Sequence, residues 1–174
     1  MERMTTHLRR LIEAEDYIYM PVAFDGLGGR LVQKHGFKAV CSAGYTTGSS
    51  LCIAEPLLTM TEQIAFAKAI VDQVDLPLIM DAGAGWGEPL HTMRTVRECI
   101  RAGIAGAHFE DQLFPKRAHY HKYVAHAIPA DEFIAKIKMA CVERDRIDKD
   151  FVVIARTDTC RFEGLDEAVR RINA

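Results

Sequence analysis

The sequence predicts an α/β chain with the architecture of a (β/α)8 TIM-type barrel, of which it carries about the first five β-α units. Strand-sized apolar runs alternate with segments of helical period. Each run is rich in Val, Ile, Leu or Met and then stops at polar groups: Phe24-Asp25, Val40-Cys41-Ser42, Met80-Asp81, Phe109-Glu110-Asp111 and Ala155-Arg156-Thr157-Asp158. Such runs read as buried parallel strands that deliver chemistry at a shared rim. In an open doubly wound sheet the ligand crevice lies at one switch point, so functional groups would gather on two or three strand ends. Here all five ends carry them, which favours the barrel.

The chain opens with an amphipathic helix within Met1 to Asp16, where Leu8, Leu11 and Ile12 sit among Arg3, Arg9, Arg10, Glu13, Glu15 and Asp16. That segment lacks the apolar core of a signal peptide. The first strand is expected over Tyr19 to Phe24; Asp25 then either caps the next helix or serves the site. Gly36 ends that helix before the second strand, Lys38 to Ser42. Thr59-Met60-Thr61-Glu62 has capping-box spacing, and Ile64, Ala67, Ile70, Val71 and Val74 continue an apolar helical face. Pro77 returns the chain to extended form for the third strand, Pro77 to Asp81. A helix from Pro89 through Ala102 stops at Gly103, and the fourth strand runs from Ala105 to Glu110. The next helix is expected from Pro129 through Ile134, Ile137 and Val142, with charged Glu143 to Asp150 as a solvated turn. The fifth strand, Phe151 to Arg156, is followed after Gly164 by a helix over Leu165 to Ile172.

With 174 residues and 49% hydrophobic content, residues 1–174 read as a single domain. A complete barrel typically needs about 250 residues, so this is expected to be the N-terminal part of one, incomplete at its C-terminus. The balance of 22 basic and 24 acidic residues offers no positive field for nucleic acid or an anionic membrane. The apolar runs fall short of the roughly 18 residues of a membrane span. Neither nucleic acid nor membrane is therefore an expected partner, and cytoplasmic residence follows. Cys41, Cys52, Cys99, Cys141 and Cys160 are odd in number and scattered, and read as reduced thiols, with Cys41 and Cys99 as small buried hydrophobes.

Cys41-Ser42-Ala43-Gly44, Asp81-Ala82-Gly83-Ala84-Gly85-Trp86-Gly87, His108-Phe109-Glu110-Asp111-Gln112, Pro115-Lys116-Arg117 and Ile154-Ala155-Arg156-Thr157-Asp158 resemble, in order and spacing, the motifs of the isocitrate lyase and phosphoenolpyruvate mutase superfamily. The likeness runs from Pro21 to Ala174. It implies a barrel that binds Mg²⁺, with Mn²⁺ as a substitute, and a small 2-oxo or 2-hydroxy carboxylate. It also implies cleavage or formation of a C–C or P–C bond through an enolpyruvate-like intermediate, and a homo-oligomer. Breaking such a bond leaves negative charge on an enolate oxygen, which a divalent cation and an arginine can stabilise. By the resemblance, Asp81 and Glu110 hold the metal, Ser42, Ala43 and Gly44 the substrate carboxylate, and Arg156 the developing oxyanion. His108 contacts the ligand or orients Glu110, while Lys116 and Arg117 belong to a mobile gate. The plainer alternatives are a cap or salt bridge for Asp81, a turn at Ser42 to Gly44, a solvated turn at Lys116-Arg117 and an internal Asp158 partner for Arg156.

The chain departs from the family pattern at three places. Where members carry Cys-Gly-His after the gate lysine and its neighbour, this chain has Ala118-His119-Tyr120. A positioned acid or base is worth about 10²- to 10⁴-fold, so the missing thiol argues against isocitrate or methylisocitrate lyase activity itself. His119 is the candidate replacement, with Tyr120 or His121 as others. Gly83 stands where a second metal-loop carboxylate is usual, and Glu55 where aspartate is common. His119, His121 and His126 also admit a transition-metal reading, against which a polar lid is the plainer one. The rival to an enzyme is a truncated or degenerate non-catalytic member that associates through open barrel edges.

Overall fold

The computed structural model describes residues 2–14, 17–116 and 126–174. In chain order its elements are α1 (Met4–Ala14), α2 (Gly26–Lys34), β1 (Val40–Ser42), α3 (Gly44–Leu51), α4 (Met60–Val71), β2 (Leu78–Asp81), α5 (Pro89–Arg101), β3 (Gly106–Glu110), α6 (Ala130–Ile147), β4 (Val152–Arg156) and α7 (Leu165–Ile172). The four strands form one parallel sheet in the order β1-β2-β3-β4. Sequential parallel strands joined by helices are the arrangement of consecutive β-α units in a barrel wall. No helix among the described residues is long and apolar enough to cross a membrane.

Most expected elements are present. The box at Thr59 closes as its spacing predicts: Glu62 N donates to Thr59 Oγ1 at 3.3 Å and Thr59 N to Glu62 Oε2 at 2.8 Å. Three differences have physical causes. Tyr19 to Phe24 is not a full strand; it meets the sheet at a single parallel bridge, Val22 to Cys41, through Ala23 N to Cys41 O and Cys41 N to Pro21 O. Pro21 has no N–H to donate, and Tyr19, Val22 and Phe24 are exposed, so little burial holds a longer ladder. The second difference is α3, which begins where a turn was one reading of Ser42 to Gly44. Its sequence, Gly-Tyr-Thr-Thr-Gly-Ser-Ser-Leu, carries no apolar stripe. The third is Glu143 to Asp150, expected as a solvated turn: α6 continues to Ile147. Glu143 is buried at 1% exposure between Arg97 Nε at 2.6 Å and Arg146 Nη2 at 2.7 Å. Hydrogen bonds from Arg146, and then Arg97, outweigh burial and lower the Glu143 carboxyl to about 2.

The core lies between sheet and helices, where Val40, Leu78, Met80, Ala107 and Phe109 meet Ile70, Val96, Cys99 and Ala140. A smaller cluster places Leu8 of α1 against Ile79, Ala105 and Val152, toward the strands' N-terminal ends. There Thr5 Oγ1 donates to Asp148 Oδ2 at 2.8 Å and Arg9 Nε to Asp150 O at 3.2 Å. Both faces of the sheet are thus covered near its base, which fixes the opposite strand ends in place. Cys99 is buried, as expected, and burial pushes its thiol far up; Cys41 is pushed up to about 11 by burial and then by Asp81.

Candidate active site

Strand register assembles the site. β2 and β3 align with Asp81 opposite His108, and β3 and β4 align with Glu110 opposite Arg156. Side chains two apart on a strand share a face, so His108 and Glu110 point the same way. Arg156 Nη1 consequently lies 3.3 Å from Glu110 Oε2 and 3.8 Å from Asp81 Oδ2, and His108 Nδ1 lies 3.5 Å from Asp81 Oδ1. Lys116 reaches in from the segment after β3, with Nζ 3.1 Å from Glu110 Oε1 and 2.6 Å from Glu55 Oε1.

The other groups are set by their loops. Asp81 accepts from Gly83 N at 2.8 Å, in a turn where Gly83 has φ +50° and Gly85 φ +74°. A Cβ on Gly85 would lie 2.7 Å from Thr92 Oγ1, so the loop must approach α5 as bare backbone. From beneath, buried Lys136 of α6 donates to Ala84 O at 2.5 Å. Arg156 is aimed by Asp158, with Nε to Oδ1 at 2.9 Å and Nη2 to Oδ2 at 3.1 Å, leaving Nη1 toward the carboxylates. Gln112 also donates to Asp158, while Asp111 accepts from Thr157 Oγ1 and Asp158 N. Ser42 ends β1, Ala43 is the α3 N-cap and Gly44 the first helical residue. A Cβ on Gly44 would lie 2.8 Å from Glu55 Oε1.

Burial sets the electrostatics. Glu110 is fully buried, and that desolvation raises its carboxyl to about 7 against the pull of Lys116 and Arg156. Burial also lowers the His108 pKa, which favours neutral imidazole. For Lys116 burial acts downward, yet Glu110 and Glu55 outweigh it and the ammonium is raised. Burial likewise lowers Lys136. Asp158 is held low despite burial, chiefly by Arg156.

The residues present fit a divalent cation. Four carboxylates, Glu55, Asp81, Glu110 and Asp158, face two cations, Lys116 and Arg156. Both Glu110 oxygens, Ser42 Oγ and His108 Nδ1 are buried without a hydrogen-bond partner among the described residues. No cluster of three His, Cys, Asp or Glu ligands is present among the described residues. A donor set of one or two carboxylates completed by water is the habit of Mg²⁺. A cavity of about 40 Å³, lined by Gly44, Glu55, Gln63, Asp81, Gly83 and Lys116, adjoins these groups.

Of the sequence-predicted residues, Asp81, His108, Glu110, Lys116 and Arg156 come together, with Ser42, Ala43 and Gly44 at the end of the neighbouring strand. Asp25 does not join them; it caps α2, accepting from Gly28 N at 2.6 Å. His119, together with Arg117, Ala118, Tyr120 and His121, lies outside the described residues, and His126 is exposed. Sequence reasoning missed Lys136 and Gln63. The signal for Lys136 was its place on the apolar face with Phe133, Ile137 and Ala140.

Comparison with known proteins gives the family and the fold of the chain. A carboxyvinyl-carboxyphosphonate phosphorylmutase of Arabidopsis thaliana is 40% identical over 98% of this chain and 51% of its own length. A crystal structure of 2,3-dimethylmalate lyase, a PEP mutase/isocitrate lyase superfamily member, superposes with TM-score 0.91 at 33% identity, over 99% of this chain and 58% of that one. Phosphonopyruvate hydrolase in complex with oxalate and Mg²⁺ superposes with TM-score 0.88 at 27% identity, over 98% of this chain and 58% of that one. The chain thus spans little more than half the length of these relatives. Its residues 8–174 match the family model for phosphoenolpyruvate phosphomutase, and the chain belongs to that family, within the PEP mutase/isocitrate lyase superfamily.

Proposed function

We propose that this chain carries the cation- and carboxylate-binding part of a Mg²⁺-dependent lyase or mutase. The reaction cleaves or forms a C–C or P–C bond of a small 2-oxo or 2-hydroxy carboxylate through an enolpyruvate-like intermediate. The observation that carries this reading is the convergence of Asp81, His108, Glu110, Lys116 and Arg156 at one end of the sheet. The relatives' names support the substrate class, since a dimethylmalate lyase and a phosphonopyruvate hydrolase both act on small carboxylates.

Asp81 and Glu110 would hold Mg²⁺, or Mn²⁺ in its place, directly or through water, and the ion would supply Lewis-acid stabilisation of developing negative charge. The chain's own groups do the rest. Ser42 Oγ and the backbone N–H of Gly44, at the start of α3, bind the substrate carboxylate. Arg156, held in plane by Asp158, donates from Nη1 to the oxygen on which enolate charge appears. Neutral His108 orients the ligand beside Asp81. Lys116 neutralises Glu55 and Glu110 and draws the segment after β3 over the site. His119 remains the proposed proton donor or acceptor in place of the gate thiol. A cytoplasmic setting belongs to the same proposal.

The test is release of pyruvate or its congeners from a panel of 2-oxo and 2-hydroxy acids, with and without Mg²⁺. Asp81→Ala is expected to cost at least about 10²-fold; activity indifferent to that change would overturn the metal assignment. Exposed Tyr17, Tyr19, Val22 and Phe24 near β1, and Leu165, Val169 and Ile172 on α7, support association of copies. Sedimentation velocity is expected to show a homo-oligomer. Association without turnover of any acid in the panel would favour the non-catalytic reading.

A further inference from the structure

Gln63 lies on α4, well away in sequence from every motif of the site, and is 1% exposed. Both atoms of its carboxamide, Oε1 and Nε2, are buried without a hydrogen-bond partner among the described residues. Leaving a buried polar group unsatisfied forfeits its hydration, so a whole amide held in this state needs a reason. Its surroundings supply one, because Gln63 lines the same cavity as Glu55, Asp81, Gly83 and Lys116. That space, about 40 Å³, exceeds the roughly 10–15 Å³ that one water requires. Gly83 lines the same cavity as Asp81 without a side chain, and a Cβ built there meets nothing within 4 Å among the described residues.

We infer that Gln63 is a positioning residue of the cation site, its carboxamide anchoring a water of the ion's hydration shell in the cavity it shares with Asp81. A carboxamide suits this role, since Oε1 accepts from such a water while Nε2 donates to a second one or to a carboxylate oxygen. The neutral amide adds an oxygen acceptor without adding charge. The inference rests on the cation reading proposed above.

The test is titration of the metal-stripped chain with Mn²⁺, followed by electron paramagnetic resonance of the free ion and by the metal-induced rise in melting temperature. Gln63→Met keeps the volume and the helix but removes the polar atoms. It is expected to weaken Mn²⁺ binding roughly tenfold, the effect of losing an outer-shell partner, while the metal-free melting temperature stays level or rises. Gln63→Glu is expected to tighten binding. Gly83→Asp, which places a carboxylate in the open space, is expected to restore affinity to Gln63→Met. If Gln63→Met binds Mn²⁺ as the wild type does while Asp81→Asn does not, the role given to Gln63 is wrong and the site stands. A lower metal-free melting temperature with unchanged affinity would show a structural role only. Binding indifferent to Asp81→Asn, or absent from the wild type, would refute the cation reading and this inference with it.

Discussion

At Gly44 the absence of a side chain is tied to the identity of another residue. Its hypothetical Cβ lies 2.8 Å from Glu55 Oε1, and Glu55 cannot swing away freely because Lys116 Nζ holds that oxygen at 2.6 Å. Gly44→Ala is expected to destabilise by about 1–3 kcal/mol, and Glu55→Asp, by withdrawing one methylene, to recover at least half of that loss. Urea unfolding of the two single variants and the double variant decides it; strict additivity would rule the contact out. Residues of this kind were legible in unequal measure. Asp81, Glu110 and Arg156 stood out because a charge at the end of a buried apolar strand is costly unless an opposite charge or a ligand meets it. Gln63 and Lys136 did not, because a polar residue on a helix reads by default as solvated; packing shows that both face inward, which for Lys136 its place on an apolar face already signalled.

Between elements, the pairing of α5 with α6 turns on Glu143, which joins Arg97 of α5 to Arg146 of its own helix. Its carboxyl is held at about 2 against an ordinary value of 4.5. The folded state therefore gains from the ionised group fully above about pH 4.5, and loses that gain as pH falls through 2. Glu143→Gln is expected to cost about 1–3 kcal/mol at pH 7. The gap from wild type should narrow as the pH of the unfolding series drops from 5 toward 2; a gap independent of pH would mean that charge is not its source. The same helix shows where pattern reading stops. Caps and proline boundaries placed α4, α5 and α7 because those signals are local. The continuation of α6 past Glu143 depends on Arg97, 46 residues before Glu143, and no local signal records that. The weakness of the first strand was equally hidden, since it follows from exposure rather than from its apolar letters.

In the molecule as a whole the chemistry lies at one end of the sheet and α1 at the other. Leu8→Ala should therefore lower stability by about 2–5 kcal/mol and leave Mn²⁺ affinity unchanged, as measured by calorimetry beside metal titration; a parallel loss of affinity would show that the two ends communicate. The sheet and its barrel-like order were readable because every crossover carries its own helix and every strand its own polar terminus, charged in β2, β3 and β4. The docking of α1 was not, because its partners, Ile79, Ala105, Asp148 and Val152, are scattered far along the sequence. Biosynthesis separates those partners in time. α1 is made well before its polar partner: Thr5 must wait for Asp148, 143 residues downstream, before its hydroxyl finds that partner. Until Val152 and Asp148 have been made, the apolar stripe of α1 lacks part of its packing surface and is exposed to chaperones.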